Sequence, residues 1–150
     1  MKYMTKEWYE QSQVAGRPPF DKSLKDYVNR IHSTYWHEYK KMFPYPPDFM
    51  KTIDKLHDCE IVSANVVGND YIIISDNSEW GVEGYTKILF KNAVVKKQDF
   101  DKQELGWCYD ELYLAERGYE LHVMFFEYGS SDVYELIVEC ENIEITNVEG

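Results

Sequence analysis

The chain has 150 residues, 44% of them apolar and 16% aromatic, with a formal net charge of −11. That length supports one domain with a real core, and that composition excludes a disordered chain. The acidity argues against direct binding to phosphate backbones, so no nucleic-acid partner is expected.

The first fifty-five residues read as helical. Thr5 is placed to cap a short helix to about Gln13, ended by Gly16 and Pro18-Pro19. Ser23 is placed to cap a second helix, with Asp26 three residues on in the capping-box position. Leu24, Val28, Ile31, Tyr35, Tyr39 and Met42 step by three or four and form one apolar helix face. Pro44, Pro46 and Pro47 stop that helix. Asp48 is placed to cap a third, short helix carrying Phe49, Ile53 and Leu56.

From about Cys59 the apolar period changes from 3.6 to 2. Six strands are predicted, at about 59–67, 70–76, 85–96, 107–116, 119–127 and 133–146. Gly68-Asn69 and Arg117-Gly118 supply tight turns, while Asp76 to Gly84 and Gly129 to Asp132 supply looser loops. The charged linker Lys96 to Glu104 is expected to be exposed. The two halves of this region repeat a pattern at a fifty-residue offset. Thr86, Ile88 and Phe90 alternate up to Asn92, then Ala93 and Val95 continue on the opposite parity. Leu136, Val138 and Cys140 do the same up to Asn142, followed by Ile143 and Ile145. A β-bulge beside each asparagine would produce that parity change.

Some strands are apolar on both faces. Leu121, Val123 and Phe125 oppose Met124 and Phe126, so something must cover the second face. The second helix is the natural cover. The expected fold is therefore α+β. Helices in residues 1–55 pack on an antiparallel sheet in residues 56–150, the two parts forming one unit. The sheet would be built from two similar three-stranded units, with a sandwich or a partly open barrel as its possible forms.

No motif calls for a cofactor, a metal or a catalytic residue. His37-Glu38 starts like a zinc-protease motif, but Lys41 stands where its second histidine would be. The acidic Gly81 to Gly84, with Glu79 and Glu83, is unsuited to cradling phosphate. Cys59, Cys108 and Cys140 are odd in number and far apart, which suggests reduced thiols in a cytoplasmic protein. The start of the sequence lacks the apolar core of a signal peptide, and no apolar run suits a membrane span.

Two groups of residues are candidates for function. His57 and Asp58, at the entry to the first strand, and Asp110 form a candidate polar cluster. It would serve a small-ligand binder or a hydrolase if the three converge in a pocket. Trp36 and Tyr39 on the long helix, with Glu139 and Glu141, form a candidate partner surface. Charge favours the second reading. Residues 1–55 carry ten Lys/Arg and seven Asp/Glu, net +3; residues 56–150 carry six and twenty, net −14, together the −11 of the chain. An acidic, strand-rich half of this kind steers a basic partner. Self-association through an exposed edge strand is a third expectation.

Three short stretches carry a resemblance. Met1-Lys2-Tyr3 with Thr5-Lys6-Glu7 and Tyr9, then Leu56-His57-Asp58, then Tyr119-Glu120-Leu121-His122 resemble a family of uncharacterised, mostly Gram-positive bacterial proteins. That family implies no catalytic residues. The helical start, Leu-His-Asp entry and acidic meander are also similar in style to immunity proteins of bacterial toxin systems. Such a likeness implies binding and inhibition of another protein. The expected function is thus a non-enzymatic cytoplasmic protein-binding module, an immunity-type inhibitor of a basic partner. The alternative is the His57/Asp58 ligand binder or hydrolase.

Overall fold

A computed structural model describes residues 1–80, 84–101 and 104–148. Of the Gly81 to Gly84 stretch, positions 81–83 lie outside the described residues. Three helices come first: α1 (Lys6–Ala15), α2 (Lys22–Met42) and the single turn α3 (Met50–Ile53). Thr5 caps α1 as the sequence indicates, its hydroxyl accepting from the Trp8 N–H at 3.1 Å. The cap of α2 is Asp21 rather than Ser23; its Oδ1 accepts from the Leu24 N–H at 3.2 Å, so the helix starts at Lys22. Asp48 does not cap α3, which is preceded by Phe49 without a side-chain cap.

Eight strands follow: β1 (Glu60–Val67), β2 (Asp70–Asp76), β3 (Tyr85–Lys91), β4 (Val94–Gln98), β5 (Leu105–Leu114), β6 (Tyr119–Glu127), β7 (Val133–Cys140) and β8 (Asn142–Val148). They form one open antiparallel sheet in the order β4-β7-β6-β5-β1-β2-β3-β8. The fold is α+β, with the helices packed on this sheet. The two predicted long strands are each divided, at Asn92-Ala93 and at Glu141, which accounts for eight strands instead of six.

The order has an internal symmetry. Exchanging β1 with β5, β2 with β6, β3 with β7 and β4 with β8 returns the same order read backwards. Each unit is a hairpin followed by a bent strand. The two bent strands also pair with each other along their lengths. Lys91 faces Asn142 in the β3–β8 pair, and Val94 faces Glu139 in the β4–β7 pair, so the register carries straight through the bend. The two ends of the sheet are therefore halves of one bent ribbon, and the open sheet curls around its core.

This corrects the expectation of bulges at Asn92 and Asn142. No register shift occurs between Lys91 and Val94. Both strands turn a corner together, and Asn92 takes a left-handed φ of 47° to do so. A shared corner changes parity in both strands and keeps Phe90 beside Ile143 on the inside. Register shifts lie elsewhere, at Ile61/Ser63, Val95/Lys97 and Trp107/Tyr109. Each corner receives the turn of a hairpin. The Ala93 N–H donates to the Asn69 carbonyl at 2.8 Å. Gly118 packs so closely on the other corner that a Cβ there would lie 2.4 Å from the Glu141 carbonyl oxygen.

The core draws on both parts of the chain, from Trp8, Tyr35 and Ile53 to Phe90, Trp107 and Phe125. The 96–104 linker is not wholly exposed: Phe100 is buried, edge-on to Phe125. Helix α2 packs on β5, the neighbour of the strand whose two-faced apolar pattern called for a cover. Among the described residues β5 pairs with β1 at Leu105 and Gly106 alone. Further along β5, the Leu112 N–H donates to the buried Tyr35 hydroxyl at 3.0 Å. A tyrosine thus satisfies a strand edge that would otherwise be buried unpaired.

Candidate functional site

Where α2, the loop after α3 and β5 meet, the surface sinks into a cleft of about 200 Å³. The sequence builds it from three directions. Helix spacing places His32 and Trp36 one turn apart on the same side of α2. Asp54 follows the last residue of α3, and His57 follows the tight turn after it. The register shift beside Cys108 lets Tyr109 and Asp110 of β5 both reach the cleft. Met4 and Cys108 complete the lining.

The walls are aromatic. Trp8 stacks on His32 with ring centres 6.2 Å apart and meets Tyr109 edge-on at 5.1 Å. His57 also meets Tyr109 edge-on, at 5.5 Å. The Trp36 indole N–H donates to His32 Nε2 at 3.1 Å, which places the neutral His32 proton on Nδ1. Burial lowers the pKa of His32, so its ring stays neutral near pH 7.

The floor is acidic. Burial pushes the Asp110 carboxyl up to about 7; the charges of Asp54 and Glu111 add to the rise, and the Trp107 hydrogen bond opposes it. That bond runs from Trp107 Nε1 to Asp110 Oδ2 at 3.0 Å. Burial also raises the pKa of Asp54. Among the described residues no Lys or Arg pairs with either carboxylate. The cleft is chemically quiet in other respects. Burial holds the Cys108 thiol up at about 12, far from a reactive thiolate. Among the described residues no three His, Cys, Asp or Glu side chains are grouped to hold a metal.

Of the polar cluster expected from sequence, His57 and Asp110 line the cleft together. Asp58 sits beside them on the outside, its Oδ1 3.1 Å from His57 Nδ1, with both side chains more than half exposed. The residues of the expected partner surface separate. Trp36 lines the cleft, while Tyr39 is buried behind it against Tyr35 and Phe43. Glu139 and Glu141 lie on a different face and are internally neutralised. Glu139 meets Lys96 at 3.0 Å and Arg117 at 3.4 Å, and Glu141 accepts from Asn92 at 2.8 Å. Sequence reading missed His32, Asp54 and Tyr109. The i, i+4 spacing of His32 and Trp36 was the one available signal, and it carries no information about what faces it.

Larger cavities lie elsewhere and carry less chemistry. One of about 500 Å³ lies between β8 and the α2–α3 loop, lined by Phe49, Tyr119, Ile143 and Ile145 among others. Its acid, Asp48, already pairs with Lys51 at the surface. Comparison with protein-family models, curated proteins and solved structures finds no match. Among the described residues no helix is long and apolar enough to cross a membrane.

Proposed function

We propose that the protein is a non-enzymatic cytoplasmic binding module that engages a basic protein partner, in the manner of an immunity-type inhibitor. The observation that carries this reading is the cleft, where two carboxylates with no cationic partner among the described residues, Asp54 and Asp110, sit among aromatic rings. At about 200 Å³ it is smaller than the ~300–1,000 Å³ usual for drug-sized ligands, so it suits one side chain of a larger partner. The net charge of −14 over residues 56–150 supplies long-range attraction for a basic surface.

The test compares immobilised wild-type chain with an Asp54→Asn/Asp110→Asn double variant, in host lysate at low and raised salt. A stoichiometric basic protein, lost at raised salt and lost in the double variant, is the expected result. It is then titrated in purified form. A partner that binds both chains equally counts against the cleft, and salt-independent capture counts against charge steering.

A second reading has one observation behind it. The His57–Asp58 contact at 3.1 Å resembles an acid-oriented base, and it opens on the cleft that holds Asp110. On that reading the site is a small-ligand or hydrolase site, and turnover of a small ester panel falls to background in His57→Ala. Binding of the basic partner without turnover by wild type discards it.

A further inference from the structure

The two oxygens of Asp110 differ. Oδ2 is occupied by the Trp107 indole N–H, while Oδ1 has no hydrogen bond among the described residues. A guanidinium recognises a carboxylate best through a two-pronged fork that needs both oxygens. Asp110 offers one. An ammonium is a compact charge with three rotatable donors and needs no fork. It can donate to Asp110 Oδ1 and Asp54 separately, the two carboxylates that line the cleft.

The walls suit the same group. Trp36 and Tyr109 present ring surface to a cation, and Met4 and Cys108 present apolar surface to a methylene stem. His32, held neutral by burial and by its bond from Trp36, adds no positive charge to repel one. Among the described residues no Lys or Arg lines the cleft. We propose that this cleft is a socket for a single primary ammonium, the side chain of a lysine on the partner, and that it discriminates against arginine. The proposal rests on the binding-module reading and names the group that reading leaves open.

A proton is linked to this event. The groups facing Asp110 are Asp54 at the end of α3, Glu111 on its own strand, Trp107, Tyr35 and Tyr39 of α2, and the histidines across the cleft. With no cation present, Asp110 is partly protonated near pH 7. An entering ammonium stabilises the carboxylate and expels that proton.

The experiment titrates the full chain, labelled with nitrogen-15, with Nα-acetyl-lysine N-methylamide and with its arginine counterpart. The Trp36 and Trp107 indole N–H signals report on the cleft. The expected result is a saturable shift of both signals by the lysine amide, with the arginine amide at least about tenfold weaker. Calorimetry near pH 7 in two buffers of different ionisation enthalpy then shows proton release on lysine binding. Asp110→Asn removes the proton release and weakens the lysine amide by about tenfold. Asp54→Asn, at the end of α3, weakens it in the same direction. Equal or tighter binding of the arginine amide overturns the proposal. So does an absence of shift, or wild-type affinity in Asp54→Asn. If the lysine amide fails while a basic partner still protects Trp36, the lysine assignment falls and the binding module stands.

Discussion

The backbone N–H of Met4 donates to the carboxylate of Glu111, 107 positions away, at 2.7 Å, and Glu111 has no exposed surface. The same carboxylate accepts from the Lys2 N–H at 2.7 Å and from the Tyr113 hydroxyl at 2.6 Å. A buried charge is tolerable when donors surround it, and here the donors are the opening residues of the chain. The N-terminal segment is thereby fixed over β5, and Met4 becomes a wall of the cleft. Glu111→Ala is expected to lower stability by about 2–4 kcal/mol, because it strands several buried N–H groups at once. Urea unfolding measures the loss. Hydrogen exchange at residues 2–4 separates this from simple cavity formation, since those amides should lose protection first.

Asp110 gives the protein a pH dependence opposite to that of a paired carboxylate. Its folded pKa, about 7, lies above the 3.8 usual for an aspartate. The stability it contributes is therefore fully present below pH 3.8 and is lost as pH rises through about 7. Asp110→Asn removes this dependence. The melting temperature of the variant should gain on wild type steadily as pH rises through that window. Parallel curves for the two proteins would show that Asp110 ionises freely.

His122 acts at the same pH values with the other sign. It is buried, its Nε2 is 2.7 Å from Glu120, and its Nδ1 has no hydrogen-bond partner among the described residues. Burial lowers its pKa below the usual 6.5; the Glu120 hydrogen bond and the Glu120 and Glu111 charges oppose this, and the N-terminal amine reinforces it. Its contribution to stability is present above pH 6.5 and is lost as pH falls below it. His122→Gln should flatten the acid limb of a stability–pH profile below pH 6.5. The histidine C–H signals in proton NMR report the titration directly.

The three cysteines should behave as inert core residues. Burial holds the thiols of Cys108 and Cys140 up at about 12 and raises that of Cys59. Iodoacetamide at mildly alkaline pH should leave the native chain unmodified and should alkylate all three sites once urea unfolds it. Modification of Cys108 in the native chain would mean that the cleft opens further than its structure shows.

Gly118 tests the corner of the bent ribbon. A methyl group there meets the backbone carbonyl oxygens of Cys140 and Glu141 at 2.4–2.5 Å, so the backbone must shift to admit it. Gly118→Ala is expected to cost about 1–3 kcal/mol. Gly68→Ala has open space around it, and its cost comes from the positive φ of 63° instead. Calorimetric melting of the two variants should show both losses, the larger at Gly118.

Local chemistry wrote much of this fold into the sequence. The Thr5 cap, the apolar stripe of α2, the Gly68-Asn69 turn and the period-2 strands depend on neighbours within a few residues, so they can be read without a structure. Even the parity change at Asn92 and Asn142 was visible. Its cause was not, because a bulge in one strand and a shared corner in two give the same pattern in a single strand. The cleft was legible only in part. His57 and Asp110 stood out as polar residues beside strands, but Asp54, His32 and Tyr109 join them from other elements. Asp110 has an unusual carboxyl because burial and Trp107 surround it, and Glu139 is an ordinary neutralised acid because Lys96 and Arg117 reach it. Sequence fixes which side chains can be charged. Only the tertiary structure decides which charges are left without a partner, because solvation and ion pairing depend on distances between segments far apart along the chain.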